Sequence, residues 1–293
     1  MTSKIALAER LQEVQRSQTL QALEELGSGC SNADVNAYFK RLKKIGKGGH
    51  ATVWKAQVLK LARQELPPFM RGGIAHDVKY VAIKTINPKG NKEMLKMYFQ
   101  EFDVMRQVSS NTAYSLKYYG CFGDENTIHV VMELCEGADL TDWLEDYGTL
   151  ENKITIVKFI ALAIQELHSK HIIHGDIKPG NIMICNADLK LVDYGFARNT
   201  ENPRHVQYAT GGTPRYTPRR RIKTKEGLIY IDWWALGQIA ADIFIEDRDG
   251  ELAVTYDELI SNGVPAGMAR VISKLTDPSQ HLSSEEIVAI VSS

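Results

Sequence analysis

The apolar pattern of this chain changes character once, near Gly137, and that change limits the folds open to it. Before it, Tyr38 to Ala56 and Tyr80 to Ile86 are rich in Val, Ile, Thr and aromatic residues in strand-like order, and residues 115 to 122 and 127 to 133 read the same way. One helical stretch, Lys92 to Val108, interrupts them. After Gly137, Asp139 to Tyr147, Ile154 to Lys170 and Ile231 to Glu246 carry apolar residues at helical spacing. Strands early and helices late predict an α+β architecture of two lobes, the first small and mainly β, the second mainly α.

Two segments stand outside this plan. Residues 1 to 30 place Ile5, Ala8, Leu11, Leu20, Leu23 and Leu26 at roughly helical spacing and stop at Gly27-Ser28-Gly29, which predicts an amphipathic helical extension. Residues 57 to 79 separate two strands by far more than the two to five residues or so of a hairpin loop, and Pro67-Pro68 and Gly72-Gly73 break them up, so they are an insertion. The main folded unit is expected over residues 38–290, divided into 38–134 and 138–290.

The totals exclude several classes of partner. With 35 Lys+Arg against 36 Asp+Glu, a net charge of -1 gives no global attraction to nucleic acid or to an anionic membrane. Apolar runs such as IVKFIALAI are too short and too interrupted by charge to span a bilayer. The first residues, MTSKIALAER, lack the apolar stretch of a signal peptide, and Thr2 stands where myristoylation needs glycine. The four cysteines, Cys30, Cys121, Cys135 and Cys185, form no CxxC pair, so neither a zinc site nor a disulfide framework is expected. A reducing, cytoplasmic compartment follows as the expectation.

The chemistry-bearing residues fall in a fixed order. IGKGGHATVWKA, residues 45 to 56, is a glycine-rich turn between strands, where Gly46, Gly48 and Gly49 let backbone N–H groups approach phosphate oxygens. VAIK, residues 81 to 84, embeds Lys84 in an apolar strand, and such a lysine wants a partner. Glu101, in the helical stretch KEMLKMYFQEFDVMRQV, can supply it. VMELCEGADL, residues 131 to 140, reads by pattern alone as a strand running into a turn. HGDIKPGN then sets Asp176, Lys178 and Asn181 in one loop after a long helix, and Asp193 follows in LVDYGFA. Asp176 can orient a hydroxyl and accept its proton, and Lys178 can neutralise charge on a phosphoryl group. Asn181 and Asp193 offer the oxygen ligands that magnesium prefers.

Taken together, the glycine-rich loop, VAIK, Glu101, HGD-x-K-x-x-N, DYG, GTPRY and DWWALG have the order and spacing of a eukaryotic-type protein kinase, which the chain resembles from about Tyr38 to Ile290. Lys178 and Thr213 are similar to the serine/threonine branch. The resemblance implies a bilobal protein-kinase-like fold that uses ATP with Mg²⁺, or Mn²⁺ in its place, and acts on a protein substrate. It implies that Ile45, Gly46, Gly48, Gly49 and Lys84 serve the phosphates and that Val53, Ala82 and Met183 sandwich the adenine. Met132 would be the gatekeeper, the backbone of Glu133 and Cys135 would bond the adenine, and Asp139 would meet the ribose. Met105, Tyr118, His174 and Tyr194 would stack as a spine, and Asp232 would cap the catalytic-loop backbone.

The chain departs from the family's pattern in several places. Ala51 replaces a third glycine and His50 the usual aromatic tip of the glycine-rich loop. Gly175 stands where many members carry the arginine that holds a phosphorylated activation loop, so a phosphate on Tyr208 or Thr210 would lack its charge-assisted partner. Activity independent of activation-loop phosphorylation is therefore expected. PRYTPRRRIK has Arg219 or Arg220 in place of the glutamate of Ala-Pro-Glu, and His281 stands at the position of that glutamate's usual arginine. Both halves of a buried ion pair are gone, which is milder than losing one. The basic cluster Arg215, Arg219, Arg220, Arg221, Lys223 and Lys225 reads as a solvated face or, more sharply, as a preference for acidic substrate or a dock for an anionic partner. The substrate-side helix is shortened to a remnant around YDELISN, residues 256 to 262.

Two other functions fit part of the pattern. A kinase-like scaffold is suggested by the divergent loop tip and insertion, although no metal or base residue is missing. A small-molecule kinase of the aminoglycoside or choline type is similar in HGD and PGN, although such enzymes generally lack GTP-x-Y and D-x-W-x-L-G. A regulatory partner, where there is one, would use the N-terminal helix or the 57–79 insertion.

Overall fold

The computed structural model describes residues 30–31, 33–48, 51–59, 65–71, 73–75, 77–87, 92–109, 112–123, 127–201, 212–218, 225–245, 248, 252–277 and 282–292. The predicted helix over residues 1–30 lies outside them, apart from Cys30, which is in a strand. The chain divides into two compact units, the first comprising Met1–Ser110 and Leu116–Cys135, the second Asn111–Ser115 and Glu136–Ser293.

In the first unit, β1 (Cys30–Ser31), β2 (Phe39–Lys47), β3 (Ala51–Val58), β4 (Tyr80–Ile86), β5 (Tyr118–Gly123) and β6 (Ile128–Met132) form one sheet in the order β1-β5-β6-β4-β3-β2. All these pairings are antiparallel except β1 with β5. Side chains alternate across a sheet. On β4, Val81 and Ile83 enter a core cluster with Phe39, Phe122 and Val131, while Ala82 and Lys84 belong to the opposite face. The insertion covers the first face: Leu66, Met70 and Ile74, around the short helix α1 (Pro68–Arg71), belong to that same cluster. Its fit requires Gly120, since a Cβ there would lie 2.5 Å from the Phe69 ring. The helix α2 (Lys92–Ser109) is tied to β5 where the Ser109 hydroxyl accepts from the Tyr118 N–H at 2.6 Å.

The second unit is mainly helical. It contains α3 (Leu140–Tyr147), α4 (Leu150–Ser169), α5 (Lys225–Phe244), α6 (Tyr256–Ser261), α7 (Ala266–Leu275) and α8 (Ser284–Ser292). Thr149 caps α4, accepting from the Asn152 N–H, and a reciprocal capping box between Thr255 and Glu258 starts the six-residue α6 at the predicted remnant. Two small sheets accompany the helices: β7 (Gly137–Asp139), β9 (Ile182–Cys185) and β10 (Asp188–Leu191) in one, β8 (Ile172–Ile173) and β11 (Arg198–Asn199) in the other. Helix α5 is apolar around its circumference, as an interior helix is, with Trp233, Trp234, Leu236 and Ile239 all buried. Two of its polar residues, Asp232 and Gln238, are fully buried.

One sequence expectation is overturned. No described cysteine is free, and Cys121, Cys135 and Cys185 are disulfide-bonded. The linear spacing of cysteines carries no signal for this, because the sheet brings Cys30 and Cys121, distant in sequence, into register as neighbours on β1 and β5. The reducing-compartment expectation loses the support it drew from the cysteines. Among the described residues no helix is long and apolar enough to cross a membrane.

Candidate active site

In the first unit, Lys84 sits mid-strand with Val53 and Val130 as its cross-strand neighbours. Its ammonium donates to Glu101 Oε1 of α2 at 2.5 Å. Glu101 is 2% exposed, so a carboxylate of α2 is held inside the unit by a cation from the sheet. Ile45 and Gly46 are on β2, Gly48 follows it, and Gly49 and His50 lie outside the described residues. Gly48 N–H donates to the Ala51 carbonyl at 2.9 Å, which closes the turn. Ala82 is opposite Met132, the last residue of β6. The Glu133 N–H donates to the Lys117 carbonyl at 2.8 Å, so its carbonyl is the backbone atom it can offer an adenine amino group. Met105 and Tyr118 of the expected spine also belong to this unit.

The second unit holds the HGD loop. Asp232, completely buried on α5, accepts the His174 N–H through Oδ2 and the Gly175 N–H through Oδ1, both at 2.9 Å. Oδ2 also takes the His168 ring at 2.9 Å. The His174 imidazole meets the Val192 carbonyl through Nε2 at 3.1 Å and the Asp176 N–H through Nδ1 at 3.4 Å, which requires the Nε2–H tautomer. Desolvation pushes the His174 pKa down, in spite of raising contributions from Asp232, Asp193 and Asp176, so the ring that completes this scaffold is neutral. Its ring centroid is 5.0 Å from that of Tyr194, which pairs these two expected spine residues.

Asp176, 5% exposed, is the hub. Its Oδ2 accepts from Lys178 Nζ at 2.8 Å and from Asn181 Nδ2 at 3.2 Å. Its Oδ1 accepts the Thr213 N–H and hydroxyl, each at 2.8 Å. Lys178 Nζ also reaches the Thr213 hydroxyl at 2.9 Å. Lys178 and Asn181 of the same loop and the distant Thr213 are thus brought onto one carboxylate. Gly175 is built for its place: its φ is +78°, and a Cβ would stand 2.7 Å from the Phe196 carbonyl oxygen.

Asn181 donates through Nδ2 to the Asp176 carbonyl as well, at 2.9 Å, which turns its Oδ1 into the atom available to a cation. Its carbonyl accepts the Val192 N–H at 2.9 Å, next in chain to Asp193. Asp193 is exposed and holds a left-handed backbone at φ 63°, a conformation that non-glycine residues adopt where the surroundings impose it. An amide oxygen and a carboxylate are hard donors that suit a divalent cation such as Mg²⁺. Among the described residues there is no cluster of three or more His, Cys, Asp or Glu side chains able to hold a metal, so any ion here would rely on few protein ligands.

Asp139 serves the backbone of its own helix, capping α3 with Oδ1, which accepts from the Thr141 and Asp142 N–H groups at 2.9 and 3.1 Å. It also pairs in register with Met183 of β9. Arg215, expected in a basic cluster, is committed to Asp242 of α5, and the cluster members 219–221 and 223 lie outside the described residues. So do Tyr208, Thr210 and His281. Sequence reasoning missed Asp242, Arg248 and His168, since single charged residues in or near a helix carry no signal of what they meet.

A family described as "Protein kinase domain" matches residues 70–290 of the chain. Serine/threonine-protein kinase CLA4 of Candida albicans is 27% identical over 266 residues, which cover 86% of this chain and 25% of that protein. Serine/threonine-protein kinase ULK3 of Rattus norvegicus is 28% identical over 67% of this chain and 39% of its own length. The cAMP-dependent protein kinase type 3 of Saccharomyces cerevisiae is 32% identical over 55% of this chain and 41% of its own. The chain therefore spans about a quarter to two fifths of the length of these curated relatives.

Proposed function

Because the chain belongs to the protein kinase domain family, we propose that it transfers the γ-phosphoryl group of ATP to a serine or threonine hydroxyl of a protein. The observation that carries this is the Asp176 carboxylate with Lys178, Asn181 and Thr213 all hydrogen-bonded to it. Asp176 orients the acceptor hydroxyl and takes its proton as the oxygen attacks the γ-phosphorus and the bond from that phosphorus to the bridging oxygen breaks, releasing ADP. Lys178, already 2.8 Å from Asp176, offsets negative charge on the phosphoryl group in flight. Thr213 keeps the Asp176 carboxylate and the Lys178 ammonium in register. Lys84, steadied by Glu101, is assigned to the phosphate oxygens of ATP, together with the backbone of residues 45–49. Val53, Ala82, Met132 and Met183 are assigned to the adenine, with the Glu133 and Cys135 backbone.

Asn181 and Asp193 are the residues proposed to hold Mg²⁺, which when bound neutralises phosphate oxygens and aligns the triphosphate. The catalytic domain spans residues 38–290, with 57–79 as its insertion. That the curated relatives are serine/threonine-protein kinases favours a protein acceptor over an aminoglycoside or choline. It also favours catalysis over scaffolding, since every reacting group is present.

The test is label transfer from γ-labelled ATP to generic protein acceptors and, in parallel, to an aminoglycoside and choline panel. Label should enter protein and fall by about 10²–10⁴-fold in Asp176→Ala. Equal labelling by parent and variant would remove the catalytic reading, and label confined to the small molecules would reassign the acceptor.

A further inference from the structure

The residues that follow Thr213 are fastened in a way that nothing in the motif explains. Arg215 reaches Asp242 on α5 with two parallel bonds, Nε to Oδ2 at 2.8 Å and Nη2 to Oδ1 at 2.5 Å. Such a two-point guanidinium–carboxylate contact fixes orientation as well as distance. The Tyr216 hydroxyl adds a third bond to Asp242 at 3.2 Å. A second cation approaches the same carboxylate: Arg248, whose side chain is 5% exposed, donates to Asp242 Oδ1 at 2.7 Å and to the Leu252 carbonyl at 2.9 Å.

These contacts close a path through the molecule. Asp232 of α5 holds Gly175; Asp176 follows; its carboxylate meets Thr213; Arg215 returns to Asp242 on the same helix. Both ends of the path are side chains of one buried helix, ten residues apart and so separated by about 15 Å of rise. The Asp176–Thr213 contact is the joint that the two fastenings bring together.

We propose that Arg215, clamped on Asp242 and braced by Arg248, is a positioning residue that sets Thr213 against the Asp176 carboxylate. The catalytic part of the proposal rests on the phosphotransferase reading above; the positioning part does not. The two arginines divide the work. When Arg215 is truncated, Asp242 keeps Arg248, so no buried charge is stranded and the fold loses little. Thr213, by contrast, loses the anchor two residues away, and a displacement of about 1 Å at a catalytic contact can cost about 100-fold in rate.

The experiment compares Arg215→Ala, Arg215→Lys, Thr213→Val and the Ala/Val double variant in the full chain. Amide hydrogen exchange at Thr213, whose N–H donates to Asp176, should quicken about tenfold in Arg215→Ala while exchange in α5 stays unchanged. The kcat for protein phosphorylation should fall at least about tenfold with KM for ATP unaltered, and Arg215→Lys should recover part of it. Arg215→Ala should add nothing in the Thr213→Val background, because it acts through that residue. Unchanged Thr213 exchange in Arg215→Ala overturns the proposal, as does a fall in kcat that merely follows a lower folded fraction, or full additivity with Thr213→Val. If Arg215→Ala does not fold, Arg215→Lys decides by the same exchange measurement. A parent that transfers no label defeats the phosphotransferase reading, and the exchange result still decides the positioning.

Discussion

Restoring an arginine at position 175, where kinases that this chain resembles often carry one, should damage the protein. The backbone there has φ +78°, a region that costs an L-residue about 1–2 kcal/mol relative to glycine. The new Cβ would also lie 2.7 Å from the Phe196 carbonyl oxygen and 3.3 Å from its carbon, and both are backbone atoms that cannot swing aside. Rotating φ to escape would pull the Gly175 N–H off Asp232, a 2.9 Å bond to a buried carboxylate worth about 1.5–3 kcal/mol. Whichever route the chain takes, the loss comes to about 2–4 kcal/mol. In urea, where slopes are typically about 1–3 kcal/mol per molar, the midpoint of the unit that contains the site should drop by about 1 M or more. Gly175→Ala isolates the cause, because it adds the Cβ and nothing else. It should lose nearly as much as Gly175→Arg, and both should lose kcat because Asp176 is the next residue. An alanine variant with a midpoint at or above the parent's refutes the reasoning, since neither the backbone angle nor the Cβ contact would then matter.

Three further outcomes follow from the same geometry. His174 is fully buried with its pKa pushed down by desolvation, so on acidification below about pH 6.5 the unfolded chain takes up a proton there before the folded one does. Acidification from pH 7 should therefore erode stability by up to about 1.4 kcal/mol per unit below about pH 6.5, and His174→Asn should flatten that part of the curve; parallel curves would show that the buried ring does not contribute. Denatured without reductant, the chain should show no thiol to a thiol-reactive dye, and all 4 cysteines should react after reduction; free thiols in the unreduced sample would contradict the disulfides. With glycine at 175, turnover of unphosphorylated protein should match that of Thr210→Ala, and a strong loss in the variant would mean that another cation reads a phosphate there.

Much of the site was legible because its residue types are forced by local chemistry. Lys84 in an apolar strand announces a partner, and Glu101 on the next helix supplies it. Asp176, Lys178 and Asn181 are close in sequence, so the loop that joins them is short, and Asp232 sits in a motif of its own. Periodicity places β4 over Tyr80–Ile86 to the residue, while α5 begins at Lys225 and not at the expected Ile231, and α4 at Leu150 and not at Ile154. What could not be read was long-range. Cys30 and Cys121 become neighbours only when β1 adds to the sheet beside β5. Asp139 looks like a ligand-binding carboxylate, yet its first hydrogen bonds go to the N-terminus of α3. Arg215 looks like one member of a charge run, because the acid that claims it comes 27 residues later.

Helix α5 explains why these long-range choices are consistent with one another. A helix buried over most of its surface has few places to send a polar side chain except to a partner, and three of its polar residues each fix a neighbour. Asp232 fixes the HGD loop, Gln238 donates to the Leu252 carbonyl at 2.8 Å, and Asp242 fixes Arg215, Tyr216 and Arg248. Intrahelical hydrogen bonds keep the interval between these residues constant, so loops far apart in sequence take their spacing from one rigid rod. In the segment after Thr213 the loop brings the cation, Arg215, and α5 brings the acid, Asp242, which Arg248 also meets. Because Asp242 keeps Arg248 when Arg215 is lost, the fold tolerates that loss better than it would the loss of a sole partner, while Thr213 loses the anchor that holds it on Asp176.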